Sequence, residues 1–201
     1  MSPAVMLRSA GPSDAGVVHR LITDNLEAGH LLPRTLDDVE RHASRFVVAE
    51  SPDGVIGCAE LAPLSDTVVE VRSLVVQQDY RGRRIGTRLL EYLATEAAER
   101  GFATLCAFTH EPSHFVRMGF TIVPHVWVPE KIAHDCTSCV LFRRCGQYAV
   151  LLPLHAGVSM RPERPAAVIH GGRAIAARRR SIERLRLRPV AAEADTEAVP
   201  A

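Results

Sequence analysis

Residues 67–76, TVVEVRSLVV, end with apolar side chains on both faces. A strand of that kind has to be covered on both sides, so it belongs inside a sheet. The chain then passes a short polar turn and enters a helix at residues 86–100. That helix carries Leu89, Leu90, Leu93 and Ala94 on one face and Gly101 as its stop signal. A buried strand feeding an amphipathic helix calls for a layered α/β domain. The turn itself lies within DYRGRRIGTRLL, residues 79–90, which holds four arginines and two glycines. Backbone N–H groups point out of a helix N-terminus, where the macrodipole is positive. Arg81, Arg83 and Arg84 add full charges, and the combination suits a pyrophosphate. The competing reading is an ordinary solvated turn.

The remaining elements agree with an α/β domain. Residues 4–9 read as a strand. Ser13 and Asp14 can cap a helix carrying Val17, Val18, Leu21, Ile22 and Leu26. Residues 29–34, GHLLPR, read as a loop. Thr35 with Asp38 resembles a capping box and opens a short helix to about Ala43. RFVVAE, SPDG and VIGCAELAPL form strand, turn and partner strand. ATLCAF is a buried strand, PSHFVRMGF one to two helical turns, and TIVP and QYAVLLPL closing strands. The order is β–α–α–β–β–β–α–β–α–β–β, complete by Leu154. Residues 155–201 are a basic, alanine-rich tail of low order, with a short amphipathic helix expected near 173–188.

Composition removes several classes of function. An apolar fraction of 47% with 23% charged residues is that of a soluble globular chain, and no apolar run approaches a membrane span. The first nine residues carry no secretory pattern, so a cytoplasmic location is expected. A net charge of +1 argues against nucleic acid as the main partner, although the basic tail keeps nucleic-acid or membrane contact as a separate reading. Lys131 is the single lysine among 24 basic residues. Cys58 and Cys106 lie in apolar runs and read as core. His134, Cys136, Cys139 and Cys145 have the ligand types for zinc, but equally suit a redox pair or unliganded thiols. No metal is needed for catalysis.

The turn resembles the signature of the GNAT superfamily of acetyl-CoA-dependent N-acetyltransferases: Arg or Gln, two residues, Gly, one residue, then Gly or Ala. Arg81 and Gly86 match its ends, and Arg84 replaces the first glycine. The arginine is expected to sit in αR geometry and to put a long side chain where the backbone approach is usually open. GHLLPRTLDDV, FVVAESPDGVIGCAEL, VEVRSLVV, FTHEPSHFVRMGF and VPEKIAHDCTSCVLFRRC together look like the acetyltransferase domain of single-domain bacterial N-acetylglutamate synthases. The resemblance covers roughly Val5 to Leu154. It implies a mixed, largely antiparallel sheet flanked by helices, with acetyl-CoA as cosubstrate held by Leu74, Val75, Val76, Arg81, Gly82, Arg83, Arg84, Ile85, Gly86 and Thr87.

The resemblance also distributes the chemistry. Backbone at Leu74 and Val75 would stabilise the oxyanion, and Glu70 would be the general base, with His110 and Glu111 in reserve. The rival reading of Glu70 is a strand carboxylate paired with Arg72. A period of two puts Glu70, Arg72 and Leu74 on one face. Phe115 stands where the family often has a tyrosine as general acid. Arg34, Arg72 and Lys131 are the candidates for holding substrate carboxylates. The implied reaction is acetyl transfer to the α-amine of L-glutamate, the entry to arginine biosynthesis. Another amino acid or small amine as acceptor, or a non-catalytic acetyl-CoA-binding regulatory module, are the alternatives. A homodimer is left open.

Overall fold

Why the chain folds around residues 67–100 is visible in a computed structural model, which describes residues 4–29 and 31–160. The strands are β1 (Met6–Ser9), β2 (Phe46–Ser51), β3 (Gly54–Pro63), β4 (Val68–Val76), β5 (Thr104–Thr109), β6 (Thr121–Val123) and β7 (Tyr148–Pro153). They form one seven-stranded sheet in the order β1-β2-β3-β4-β5-β7-β6, so β4 is central as its apolar character requires. Every pairing is antiparallel except β4 with β5, which α4 (Ile85–Glu99) connects.

Both faces are covered. On one, Leu89, Leu90, Leu93 and Ala97 of α4 are fully buried against Ile56, Leu61, Val69 and Val71. Each such leucine stabilises the domain by about 1.5–3 kcal/mol. On the other, α1 (Ala15–Thr23) and α3 (Leu36–Arg41) bring Val18, Ile22 and Val39 onto Phe46, Val48, Cys58 and Val75. A third cluster of Cys106, Val123, Val128, Ala149 and Leu151 lies under the β5-β7-β6 half, with Trp127 and Met160 packed against it. The two core cysteines are where the sequence puts them, and burial pushes the Cys58 thiol up to about 12.

Some boundaries differ from expectation. The first helix stops at Thr23, and Leu26 opens a separate turn, α2 (Leu26–Gly29). Asn25 causes the break: its side-chain amide donates to the Leu21 carbonyl at 2.8 Å. Asp14 does not cap α1 but turns back to accept from Gly11 N–H and from Arg8. Thr35 does cap α3, accepting from Asp38 N–H at 3.2 Å. Two further helices are α5 (Ser113–Arg117) and α6 (Pro129–His134), the second not anticipated from the sequence. Residues 161–201, including the expected helix at 173–188, lie outside the described residues.

One local irregularity reorganises β4. Cys58 pairs with Val75 and Glu60 with Arg72, so Ser73 and Leu74 together stand opposite Ala59. This is a β-bulge, and Ser73 takes a positive φ of 49° to form it. The extra residue exchanges the faces. Val69 and Val71 point toward α4 before it, and Leu74 and Val76 after it. Glu70 and Arg72 therefore lie opposite Leu74, which corrects the expected shared face. The pairing of β4 with β5 also ends early, at Val71 with Ala107. Residues 72–76 of β4 have no strand on that side.

The turn before α4 carries the second positive φ of a non-glycine residue. Arg84, the N-cap, sits at φ 59°, ψ 17°, in the left-handed region and not the expected αR. Its backbone keeps the geometry a glycine would adopt freely, at a cost of roughly 1–2 kcal/mol. Arg84→Gly is therefore expected to leave stability unchanged or raise it by up to about 1 kcal/mol, since relief of strain is partly offset by unfolded-chain entropy. Arg84→Val should lower it by about 1–2 kcal/mol, because a β-branched side chain tolerates that region worst. Urea unfolding of the three proteins checks this, and a Gly variant less stable than the Val variant would contradict it.

Candidate active site

Two charged side chains are buried in the middle of the sheet. Glu60 on β3 is 1% exposed and Glu70 on β4 is 3% exposed. An unpaired charge there would cost several kcal/mol, so each needs cations within hydrogen-bonding distance. Lys131 of α6 donates to both Glu70 oxygens, at 2.7 and 2.9 Å, and Arg72 Nε donates to Oε2 at 2.6 Å. Asp135, one residue past α6, accepts from Lys131 at 2.8 Å and from Arg72. Arg34 reaches Glu60 at 2.7 Å and also pairs with Asp38. Since Glu60 and Arg72 are cross-strand partners, the two groups form one charged seam across β3 and β4.

Arg34, Arg72 and Lys131, the expected carboxylate-holding cations, thus lie along one seam, and none stands alone. Asp38, Glu60 and Asp135 are the members that the sequence reading missed. Lys131 and Asp135 at i,i+4 after Pro129 were a usable signal for the last. Burial works against the charges of Arg34 and Arg72, yet Glu60 and Glu70 hold both guanidinium groups above their ordinary pKa. Burial likewise opposes ionisation of Asp135, but Lys131, His134 and Arg72 bring its carboxyl down to about 2. The reserve bases lie elsewhere: Glu111 is exposed, and His110 lies against Gly146.

On the opposite face of β4 lies the mouth of α4. Arg88 N–H is bonded to the Arg84 carbonyl, and no side chain caps the helix. Backbone N–H groups of its first turn are left for an external acceptor. The turn residues are unequal in role. Arg81 is tied down, donating to the Val76 carbonyl at 3.0 Å and to Asn25 at 2.8 Å, so it braces the turn instead of offering a free charge. Arg83 lies over the Tyr80 ring at 4.9 Å, and Arg84 is exposed. Gly82 takes a φ of 77°. Ile85 is buried and can contribute only backbone, while Thr87 is half-buried. Gly86 faces Val76 and His114, with room for a Cβ but occupied by none. Phe115 is in the core, 7% exposed, and offers no acid.

A charged turn, open N–H groups at the helix mouth and an unpaired edge of β4 thus lie together, the features that suit a large anion. Residues 18–120 match the acetyltransferase (GNAT) family. The chain belongs to that family. An uncharacterized N-acetyltransferase of Chlorobaculum tepidum is 30% identical over 74% of this chain and 96% of its own length. An amino-acid acetyltransferase of Shewanella oneidensis is 36% identical over 64% of this chain, which spans 29% of that protein. Among solved structures, N-acetylglutamate synthase from Neisseria gonorrhoeae, complexed with coenzyme A and N-acetyl-glutamate, superposes with a TM-score of 0.68 at 25% identity, over 77% of this chain and 36% of that one. A Mycobacterium tuberculosis protein in complex with CoA gives a TM-score of 0.64 at 25% identity, over 74% and 98%. This GNAT protein is an acetyl-CoA-dependent acyltransferase with the mixed α/β sheet expected of it.

The cysteine-rich segment does not converge. Among the described residues, no group of three or more His, Cys, Asp and Glu side chains is placed to hold a metal ion. His134 Nδ1 is taken by Asp135 at 2.8 Å, and Cys139 and Cys145 follow separate 3₁₀ turns. Burial pushes the Cys136 thiol up. The zinc reading of His134, Cys136, Cys139 and Cys145 is corrected on those grounds. No helix among the described residues is long and apolar enough to cross a membrane.

The seam should show in acid. Asp135 has its folded pKa depressed from 3.8 to about 2, so its contribution to stability is complete above pH 3.8 and is lost as pH falls through about 2. Asp38 shifts in the same direction. Asp135→Asn should flatten the pH dependence of unfolding free energy across that window. A variant whose acid profile parallels the parent would remove Asp135 from the stabilising seam.

Proposed function

We propose that this GNAT protein transfers the acetyl group of acetyl-CoA to the α-amine of L-glutamate. The observation that carries the reading is the convergence of Arg34, Arg72 and Lys131 on buried carboxylates of β3 and β4, beside the unpaired end of β4. Arg72 uses two of its five N–H donors on Glu70 and Asp135, and Arg34 two on Glu60 and Asp38. Both forks keep donors for a further carboxylate. The Lys131 ammonium spends its three donors on Glu70 and Asp135, so its part is to position Glu70. The relatives described as amino-acid acetyltransferase and N-acetylglutamate synthase support the choice of acceptor.

Acetyl-CoA would bring an acyl thioester whose thiolate leaves readily. The protein's part is to orient the amine, accept its proton and stabilise the developing oxyanion. Glu70 holds three hydrogen bonds from Lys131 and Arg72, out of about four acceptor positions on a carboxylate. One oxygen site is left for the amine or for a water that relays its proton. Backbone N–H groups at Leu74 and Val75, fixed by the bulge, would face the thioester carbonyl without reorganising as charge develops. Leu74, Val75, Val76 and the turn from Arg81 to Thr87 would hold the cosubstrate.

A second reading keeps the reaction and changes the acceptor. The seam sets Arg34, Arg72 and Lys131 against Asp38, Glu60, Glu70 and Asp135, one more negative than positive group. That balance favours an acceptor with less negative charge than glutamate, such as another amino acid or a small amine. Coenzyme A release measured with glutamate and with a panel of amines decides between them. Glutamate should give the highest kcat/KM, and a neutral or basic amine exceeding it would establish the second reading. Binding of acetyl-CoA without turnover of any amine would leave a regulatory binding module. Glu70→Gln should lower kcat by about 10²–10⁴-fold with little change in the acetyl-CoA Kd. An unchanged pH–rate profile would move the base to His110, Glu111 or water.

A further inference from the structure

Of the five cysteines, Cys58 and Cys106 are sealed in the core, and Cys136, Cys139 and Cys145 lie in the segment after α6. Two of these three are held close by the backbone. Cys136 and Cys139 bracket a single 3₁₀ turn, Cys136–Ser138, and the Cys139 N–H donates to the Cys136 carbonyl at 3.2 Å. A turn closed in that way brings its first and fourth Cα atoms to within about 7 Å. A disulfide requires a Cα separation of about 4.4–6.8 Å, so the turn sets the two residues at a distance that a bond can span. The turn is tied down at both ends. Ser138 Oγ donates to the Asp135 carbonyl at 3.2 Å, and the Phe142 N–H donates to the Cys139 carbonyl at 3.0 Å. Asp135 is anchored in its turn by Lys131 and Arg72 of the charged seam. The third thiol is carried elsewhere: Cys145 follows a second turn, Phe142–Arg144, and its Sγ faces Gln147 Oε1 at 3.9 Å.

Access matches geometry. Cys136 and Cys139 are half-buried, and Val140, the next residue, is 95% exposed, so a small reagent can reach the turn. We propose that Cys136 and Cys139 are a modification site, a dithiol that a low-molecular-weight disulfide such as oxidised glutathione converts reversibly to an intramolecular disulfide. Burial holds the Cys136 thiol up, with Lys131 working against it. The opening attack therefore falls to Cys139 and the closing one to Cys136. The Cys139 thiolate bonds to one sulfur of the reagent, whose S–S bond breaks, and the expelled thiolate takes the proton that Cys139 gave up. Cys136 sulfur then bonds to Cys139 sulfur. The mixed disulfide breaks, and the second small thiol leaves with the proton of Cys136. Two protein thiols are oxidised, one small disulfide is reduced to two thiols, and no other reactant is needed. The ring formed lies one residue from Asp135, on a turn whose backbone is already in place.

The sequence makes the test direct. Trypsin releases residues 132–143, IAHDCTSCVLFR, as one fragment that holds both thiols, and Cys145 falls in a later one. The full chain is equilibrated in buffers of varied reduced and oxidised glutathione, quenched in acid, alkylated, digested and weighed. Fragment 132–143 should appear unalkylated and lighter by two hydrogen atoms, and dithiothreitol should restore it. Cys145→Ser should form the same ring. Cys136→Ser and Cys139→Ser should each stop at the mixed disulfide on the remaining thiol. Repeating the equilibrium in urea should move it toward the thiols by up to about 20-fold, because the unfolded chain no longer holds the turn. Two glutathione adducts on fragment 132–143, its cross-linking to the Cys145 fragment as the main product, or no reaction at all overturns the proposal. An equilibrium that urea leaves unmoved also overturns it, since the fold then contributes nothing to closing the ring.

Discussion

The bulge at Ser73 is the point on which the working parts of this fold depend. A regular strand would carry Glu70, Arg72 and Leu74 on one face, and would continue its ladder with β5. One extra residue opposite Ala59 does two things at once. It sends Glu70 and Arg72 to the face of α6, and Leu74 and Val76 to the face of α4. It also coincides with the end of the β4–β5 pairing, so the backbone beyond Val71 stays open. The charged seam and the mouth of α4, which we propose as acceptor side and cosubstrate side, are thereby placed on opposite faces of one strand, with the unpaired backbone between them.

Electrostatics explains why the acceptor side is so heavily built. Glu60 and Glu70 sit inside a sheet where an uncompensated charge is expensive, and removing one partner of a buried pair typically costs about 3–5 kcal/mol. Three cations answer that demand, from the loop before α3, from β4 and from α6, and Asp38 and Asp135 hold those cations in turn. The ion pairs made this way hold the guanidinium groups of Arg34 and Arg72 in place. The arrangement also ties α6 to the centre of the sheet through Lys131 and Asp135, so the acceptor side and the packing of that helix are one structure.

The proposed cosubstrate side is built on different physics. Its elements are backbone more than charge: open N–H groups at α4 and the unpaired edge of β4. The arginines that draw the eye in RGRR divide their work. Arg81 clamps the turn onto Asn25, Arg83 stacks on Tyr80, and Arg84 bears the left-handed backbone that glycine would take without strain. Glycine-like geometry has survived here without glycine.

Local patterning alone was enough for the succession of strands along the chain, the long helix and the buried thiols. Apolar periodicity is set by which side chains must leave water, and that depends on neighbours in the chain. The family and the turn before α4 were readable for the same reason, since each rests on residue types at a short spacing, while Arg34, Arg72 and Lys131 were singled out only as cations able to grip a carboxylate. Tertiary structure decided the rest. A bulge arises from the pairing of two strands and leaves no mark in VRSLVV, so the faces of β4 could not be assigned by counting. The partners of Arg34, Arg72 and Lys131 come from separate elements, including Glu60 and Asp135, and only folding brings them within hydrogen-bonding distance. Whether three cysteines and a histidine share a metal depends on the path of the loop, which spacing does not specify.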